Sequence, residues 1–121
     1  MKASIKVPGV GTAVVYLSGF KCPKTLEALA ASTPIKGLAH RVGELLLIRV
    51  ELEVGLELLQ EVLEAGEVAF WPPARSIVIA LKSRVRIPSP VNYLGFVLEG
   101  LDVLRSISDC EELEALLLLE R

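Results

Sequence analysis

The sequence is short of the residues on which metal and redox chemistry depend. One histidine and two cysteines in 121 residues cannot complete a four-ligand structural zinc site unless carboxylates join them. No metal and no other cofactor is expected. Long apolar runs are missing too. Stretches such as 77–81 and 115–119 stop at five residues, far below the ~20 a membrane helix needs, so no membrane partner is expected. The first twenty residues are broken by Pro8, Gly9 and Gly11 and contain no signal-type apolar segment, which points to a cytoplasmic protein. Nor does one sign of charge dominate. Thirteen basic against fifteen acidic residues leave a net charge of −2, and whole-chain electrostatics gives no argument for nucleic acid. There is no phosphate-cradling glycine loop, no G-x-S-x-G elbow and no HExxH.

What is present describes a folded domain. The chain is 52% hydrophobic and 23% charged, which excludes disorder, and its length predicts a single domain over 1–121 with a real core. Asn92, Gln60 and Met1 are each the only residue of their type, and Glu far outnumbers Asp. That composition is thermophile-like. In ordinary cytosol Cys22 and Cys110 would be reduced and mostly buried thiols, whereas a hyperthermophile's cytosol tolerates a disulfide.

Periodicity assigns the elements. Residues 3–7 and 12–18 read as strands separated by Pro8-Gly9-Val10-Gly11. Pro23 suits a first helical position, and Leu26, Leu29 and Ala30 follow at helix spacing until Pro34. Residues 35–42 predict a strand. Residues 44–54 alternate most cleanly, with Ile48, Val50, Leu52 and Val54 against Arg49, Glu51 and Glu53. Residues 56–64 predict one or two helical turns on the spacing of Leu56, Leu59 and Leu63, with Gly66 as the stop. Residues 67–71 and 76–82 are strands around Pro72-Pro73, which cannot sit inside a sheet. The run 77–81 is apolar on both faces and predicts a strand covered on both sides. Residues 82–90 read as a loop or edge, 93–98 as a strand, and 100–107 as a short helix with Leu101 and Leu104 inward. Local propensity makes 112–119 helical.

Two segments carry a resemblance. GEVAFWPPARSIVIAL at 66–81 is similar to the signature of a short, mostly uncharacterised prokaryotic family of cyclophilin-like proteins, through Gly66, Val68, Trp71, Pro72, Pro73 and Ser76. Glu67, Phe70 and Ala74 depart from its usual Asp, Tyr and Gly. VNYLGFVLEGLDVL at 91–104 resembles both that family and a run in cyclophilins, through Gly95, Val97, Glu99, Gly100, Leu101, Asp102 and Val103. A weaker match at Pro23-Lys24-Thr25 resembles the start of the first cyclophilin helix. The resemblance implies a mainly β fold: a cyclophilin-like closed antiparallel β-barrel of about eight strands with two or three short helices. It also turns 113–119 into a final strand, which overrides the helical propensity. Leu117 and Leu119 would then lie on the opposite face from Leu116 and Leu118; one of the two faces would point outward, and an exposed row of leucines predicts a homodimer through that region.

The candidate site residues follow. Lys36-Gly37-Leu38-Ala39-His40-Arg41-Val42 resembles the cyclophilin segment that holds the catalytic arginine, making Arg41 the candidate catalytic residue. Such an arginine favours the twisted transition state of a peptide bond before proline. Ala39, Leu46 and Arg49 stand where the pocket residues of cyclophilins would be, and the plain alternative is a surface arginine. His40 and Arg41 point to opposite strand faces by alternation. Trp71, Pro72 and Pro73 form either a preformed apolar wall for a ligand or a barrel plug with a tight corner. Arg75, Ser76, Asn92 and Tyr93 could add polar groups at the same rim. Arg75, Lys82, Arg84 and Arg86 form a positive run that either attracts an anion or guards a sheet edge. The expectation is a barrel binding a small molecule or a proline-containing peptide around Trp71 and Tyr93, without efficient prolyl isomerase activity. A weak isomerase using Arg41, and a small-amide enzyme that needs a partner chain, are the alternatives.

Overall fold

The structure is a computed structural model describing residues 1–57 and 60–120. Among the described residues the elements run β1 (Lys2–Val7), β2 (Gly11–Leu17), α1 (Pro23–Ser32), β3 (Ile35–Val42), β4 (Leu45–Arg49), β5 (Gln60–Leu63), β6 (Glu67–Trp71), β7 (Ser76–Ala80), β8 (Val85–Glu99), α2 (Leu101–Arg105) and β9 (Glu112–Leu119). A 3-10 turn, Pro72–Ala74, links β6 to β7. The strands neighbour one another in the order β2-β1-β9-β3-β4-β7-β6-β8, and β8 pairs back onto β2. All these pairings are antiparallel, so eight strands close into a barrel. β5 lies outside the ring, on the first half of β8.

Alternation fills the barrel. Ile5, Val15, Ile48, Phe70, Ile79 and Leu117 are buried in one interior cluster. Each end is stopped by a helix. Leu29 of α1, with Leu26 and Ala30 beside it, closes one end, and Leu104 of α2, with Leu101 and Ile107, closes the other. A second, smaller cluster lies outside the wall. Ala69, Val78 and Ala80 on the outer faces of β6 and β7 pack under Leu63, Ile87 and Val91. All five residues of β7 are therefore buried, as its two-faced apolar run predicts.

Two glycines of the 91–104 motif have a steric reason. A Cβ on Gly95 would run into the Tyr16 carbonyl where β8 closes onto β2. Gly100 adopts φ +87° and meets the Thr12 carbonyl oxygen at 2.7 Å from where a Cβ would stand. Only glycine combines that conformation with that approach.

Three expectations are corrected. The predicted strand over 44–54 pairs only through Arg49. Glu51 turns to φ +55°, and 50–57 continues as an unpaired strap whose alternate residues Val50, Leu52 and Val54 still face the core. Its alternation records burial without a ladder. The predicted helix over 56–64 is absent in its described part, where Gln60–Leu63 is the outer strand β5; Leu59, on which that spacing leaned, lies outside the described residues. Residues 85–90 belong to β8. Pro88 and Pro90 fall where the β5–β8 register shifts, between Arg86 and Val91, so no ladder bond demands their missing N–H. Residues 112–119 form β9, with Leu117 and Leu119 buried and Leu116 and Leu118 on the outer side. Among the described residues no helix is long and apolar enough to cross a membrane.

Candidate functional site

Arg41 ends β3 beside α2, where helix carbonyls run out of partners. Its Nη1 donates to the carbonyl oxygens of Arg105 and Ile107, both at 2.7 Å, and its Nε to that of Gly43 at 2.9 Å. The Arg41 amide and carbonyl are also taken, by Glu111 and Cys110. Arg41 thus fastens the α2 end of the barrel.

Asn92 is fully buried at the opposite end. Its Oδ1 accepts the Glu57 amide at 2.7 Å. Its Nδ2 donates to Thr25 Oγ1 at 2.9 Å and to the Gly55 carbonyl at 3.0 Å. Glu57 continues the network. Its carboxylate accepts the Thr25 hydroxyl and amide, each at 2.7 Å, and the Lys24 amide at 3.1 Å. Helix α1 begins after Cys22, whose side chain caps nothing. A carboxylate from the strap therefore does the work of the missing N-cap. Burial works to raise the Glu57 pKa, but these bonds and the Lys24 charge outweigh it and hold the carboxyl below its usual value. Thr25 entered the sequence reading only as part of a helix start and Glu57 not as a site residue, because partners over thirty positions apart leave no spacing to read.

Trp71 and Tyr93 do share a face, the outer one. Both pack against the second cluster under the β5–β8 layer. The Trp71 indole donates to Ser89 Oγ at 2.6 Å. The ring of Tyr93 lies 4.8 Å from the Lys21 ammonium. Its phenol pKa is raised by burial first and then by the Glu67 carboxylate. Asn92, one residue away, points to the other side of the same strand.

Pro73, Arg75 and Ser76 come together at a wall groove. The 3-10 turn places Arg75 at φ +49°, and Ser76 donates to the Ala74 carbonyl at 2.8 Å. The Arg75 guanidinium pairs with Glu53 at 2.8 Å and Glu51 at 3.8 Å. This corner opens onto the outer faces of β3 and β4, giving a groove of about 790 Å³ that also takes in Leu38, His40, Leu47 and Arg49. That volume suits a small ligand. Among the described residues the buried His40 Nδ1 has no hydrogen-bond partner; Glu112 lies 4.0 Å away, beyond bonding range. Trp71, Pro72, Asn92, Tyr93 and Arg41 do not line this groove. Alternation alone puts Leu38, His40, Leu47 and Arg49 outward; that they meet the Pro73 corner depends on β4 pairing with β7.

The positive run is neutralised within the chain. Lys82, Arg84 and Arg86 pair with Glu44, Glu64 and Glu61 at 3.6, 3.5 and 3.0 Å. Cys22 and Cys110 are free, the first buried and the second exposed. Burial, with the Glu57 charge behind it, pushes the Cys22 thiol up to about 11. Among the described residues no group of three or more His, Cys, Asp or Glu is placed to hold a metal.

Fold and site together define a small closed barrel with a filled interior, whose open concavities lie on its outer wall. The chain belongs to the cyclophilin-like family, whose sequence model matches residues 1–115. Among solved structures it is similar to a hypothetical protein, AF2241, from Archaeoglobus fulgidus, at 25% identity and a TM-score of 0.76, covering 97% of this chain and 92% of that one. It is also similar in fold to McbB in complex with tryptophan, at 15% identity and a TM-score of 0.79, covering 98% of this chain and 44% of that one. No curated protein matches it in sequence.

Proposed function

We propose that this barrel is a cytoplasmic binding module. It takes a small molecule or a short proline-containing peptide in the wall groove at Pro73, Arg75 and Ser76, without efficient prolyl isomerase activity. The observation that carries this reading is the groove itself. It joins an apolar floor, Leu38 and Leu47, to the polar heads of His40, Arg49 and Arg75. A ligand with one apolar group and one hydrogen-bonding group fits that lining. The isomerase alternative needs the Arg41 guanidinium free, yet its Nε and Nη1 are spent on backbone carbonyls.

The test is an NMR titration of the whole chain with tryptophan, the other free amino acids and short X-Pro peptides. Tryptophan enters first because the similar McbB is in complex with it. A binding member of the panel should shift the Arg75 and Ser76 amides and the His40 imidazole, and His40→Ala should weaken it. Binding mapped to another face, or no binding by any member, overturns the proposal. Catalysed isomerisation of an X-Pro peptide that disappears in Arg41→Ala would replace it.

A further inference from the structure

We infer that the outer wall of β9, with β1 and β3 on either side, is a two-fold interface with a second copy of this chain. Register and charge carry this face, and it meets the ligand groove along Leu38, His40 and Glu112.

On this face Leu116 lies directly opposite Lys6 of β1 on one side and Lys36 of β3 on the other. Two residues back along β9, about 7 Å away, Glu114 lies opposite Leu38, followed by Glu112 opposite His40. The wall therefore has a basic end and an acidic end. Leu116 lies at the basic end and Leu38, 44% exposed, at the acidic end. Both line a groove of about 430 Å³. The charges are also unspent. Among the described residues Lys6, Lys36 and Glu114 take part in no ion pair, whereas Lys82, Arg84 and Arg86 on the opposite wall each have a carboxylate.

An isologous contact needs a patch complementary to itself. A two-fold axis in the plane of the interface, perpendicular to β9 and crossing it between Glu114 and Leu116, supplies that. It reverses the strand direction and lays the basic end of one copy on the acidic end of the other. Glu114 of the second copy then sits over Leu116 with Lys6 and Lys36 on both flanks, and Leu38 of the second copy covers the Lys36 stem. A parallel axis would stack lysines on lysines, so the charge pattern selects one of the two arrangements. Each contact is made twice.

Sedimentation equilibrium of the whole chain tests this. The unmodified protein should dimerise, more weakly in high salt than in low. Lys36→Glu and Glu114→Lys should each raise the dissociation constant roughly tenfold, a change of about 1.4 kcal/mol. Combining them should restore most of the loss, because the symmetry pairs the two new charges. Lys36 and Glu114 are exposed, so thermal unfolding should stay cooperative in all three variants. Lys6→Glu repeats the test from the other flank should one variant fail to fold. A monomer at every concentration overturns the proposal. So does a dimer indifferent to both single changes, or a double variant as weak as the sum of its parts.

Discussion

The two ends of the barrel solve one problem with opposite chemistry. Each is stopped by a helix, and each helix is tied down by a charged side chain from a distant segment, Arg41 of β3 at one end and Glu57 of the strap at the other. At the α2 end a guanidinium donates to carbonyls left over at the helix C-terminus. At the α1 end a carboxylate accepts amides left over at the helix N-terminus, and a buried amide side chain locks that carboxylate's strap to β8. The charges match the helix dipole at both ends. They differ in burial: Asn92 is wholly inside, whereas the Arg41 bonds lie at the surface or half inside. Polar residues that suggest a site can thus be fasteners, and how deeply each is buried sets its value.

Asn92→Ala should cost the most. It strips the Glu57 amide, the Gly55 carbonyl and the Thr25 hydroxyl of one partner each, the first two half-buried and the third fully buried. A loss of about 3 kcal/mol is expected in urea unfolding, with α1 loosened. Arg41→Ala should cost less, about 1–2 kcal/mol, because water can replace the guanidinium. Equal losses at the two ends would break the comparison.

Acid should separate the ends further. The folded Glu57 carboxyl sits below its usual value, so it adds stability that is present above the unfolded pKa of about 4.3 and is lost as pH falls through the folded one. Glu57→Gln should flatten that part of the stability–pH curve, and Arg41→Ala should leave it unchanged. The smallest effect is chemical. A thiol reagent at pH 8 should label Cys110, near the α2 end, and spare Cys22 at the α1 end, since burial keeps that thiol protonated. Mass spectrometry reads one label on the folded protein and two after denaturation.

Much of this was legible. Proline and glycine marked the turns, and period-two alternation marked the start of β4. The apolar run of β7 announced cover on both sides. The failures share a cause. The strap at 50–57 alternates because it is half-buried, and burial pattern cannot report whether a neighbour supplies the ladder. Residues 60–63 looked helical because leucine spacing suits several structures, and pairing with β8 decided it. β9 shows the reverse: its leucines favour a helix until β1 and β3 offer two edges. For the site, outward faces were readable, but the meeting of Pro73, Arg75 and Ser76 with His40 required the β4–β7 pairing. Asn92 was visible as an oddity and its partners were not.

Closure of the ring also sets an order of events. β1 borders β2 and β9, so Ser4 pairs with Leu118, and β3 pairs along the other side of the same last strand. The opening hairpin and β3 thus wait, each with a bare edge, until β9 has left the ribosome. Such non-local pairing makes folding slow, on the order of milliseconds to seconds, and open edges in that interval invite other chains. Lys2 and Lys6 along β1, and Lys36 on β3, put charge on those waiting edges. A chain stalled before residue 112 would keep them open, and it is this nascent form, rather than the finished barrel, that would need a chaperone.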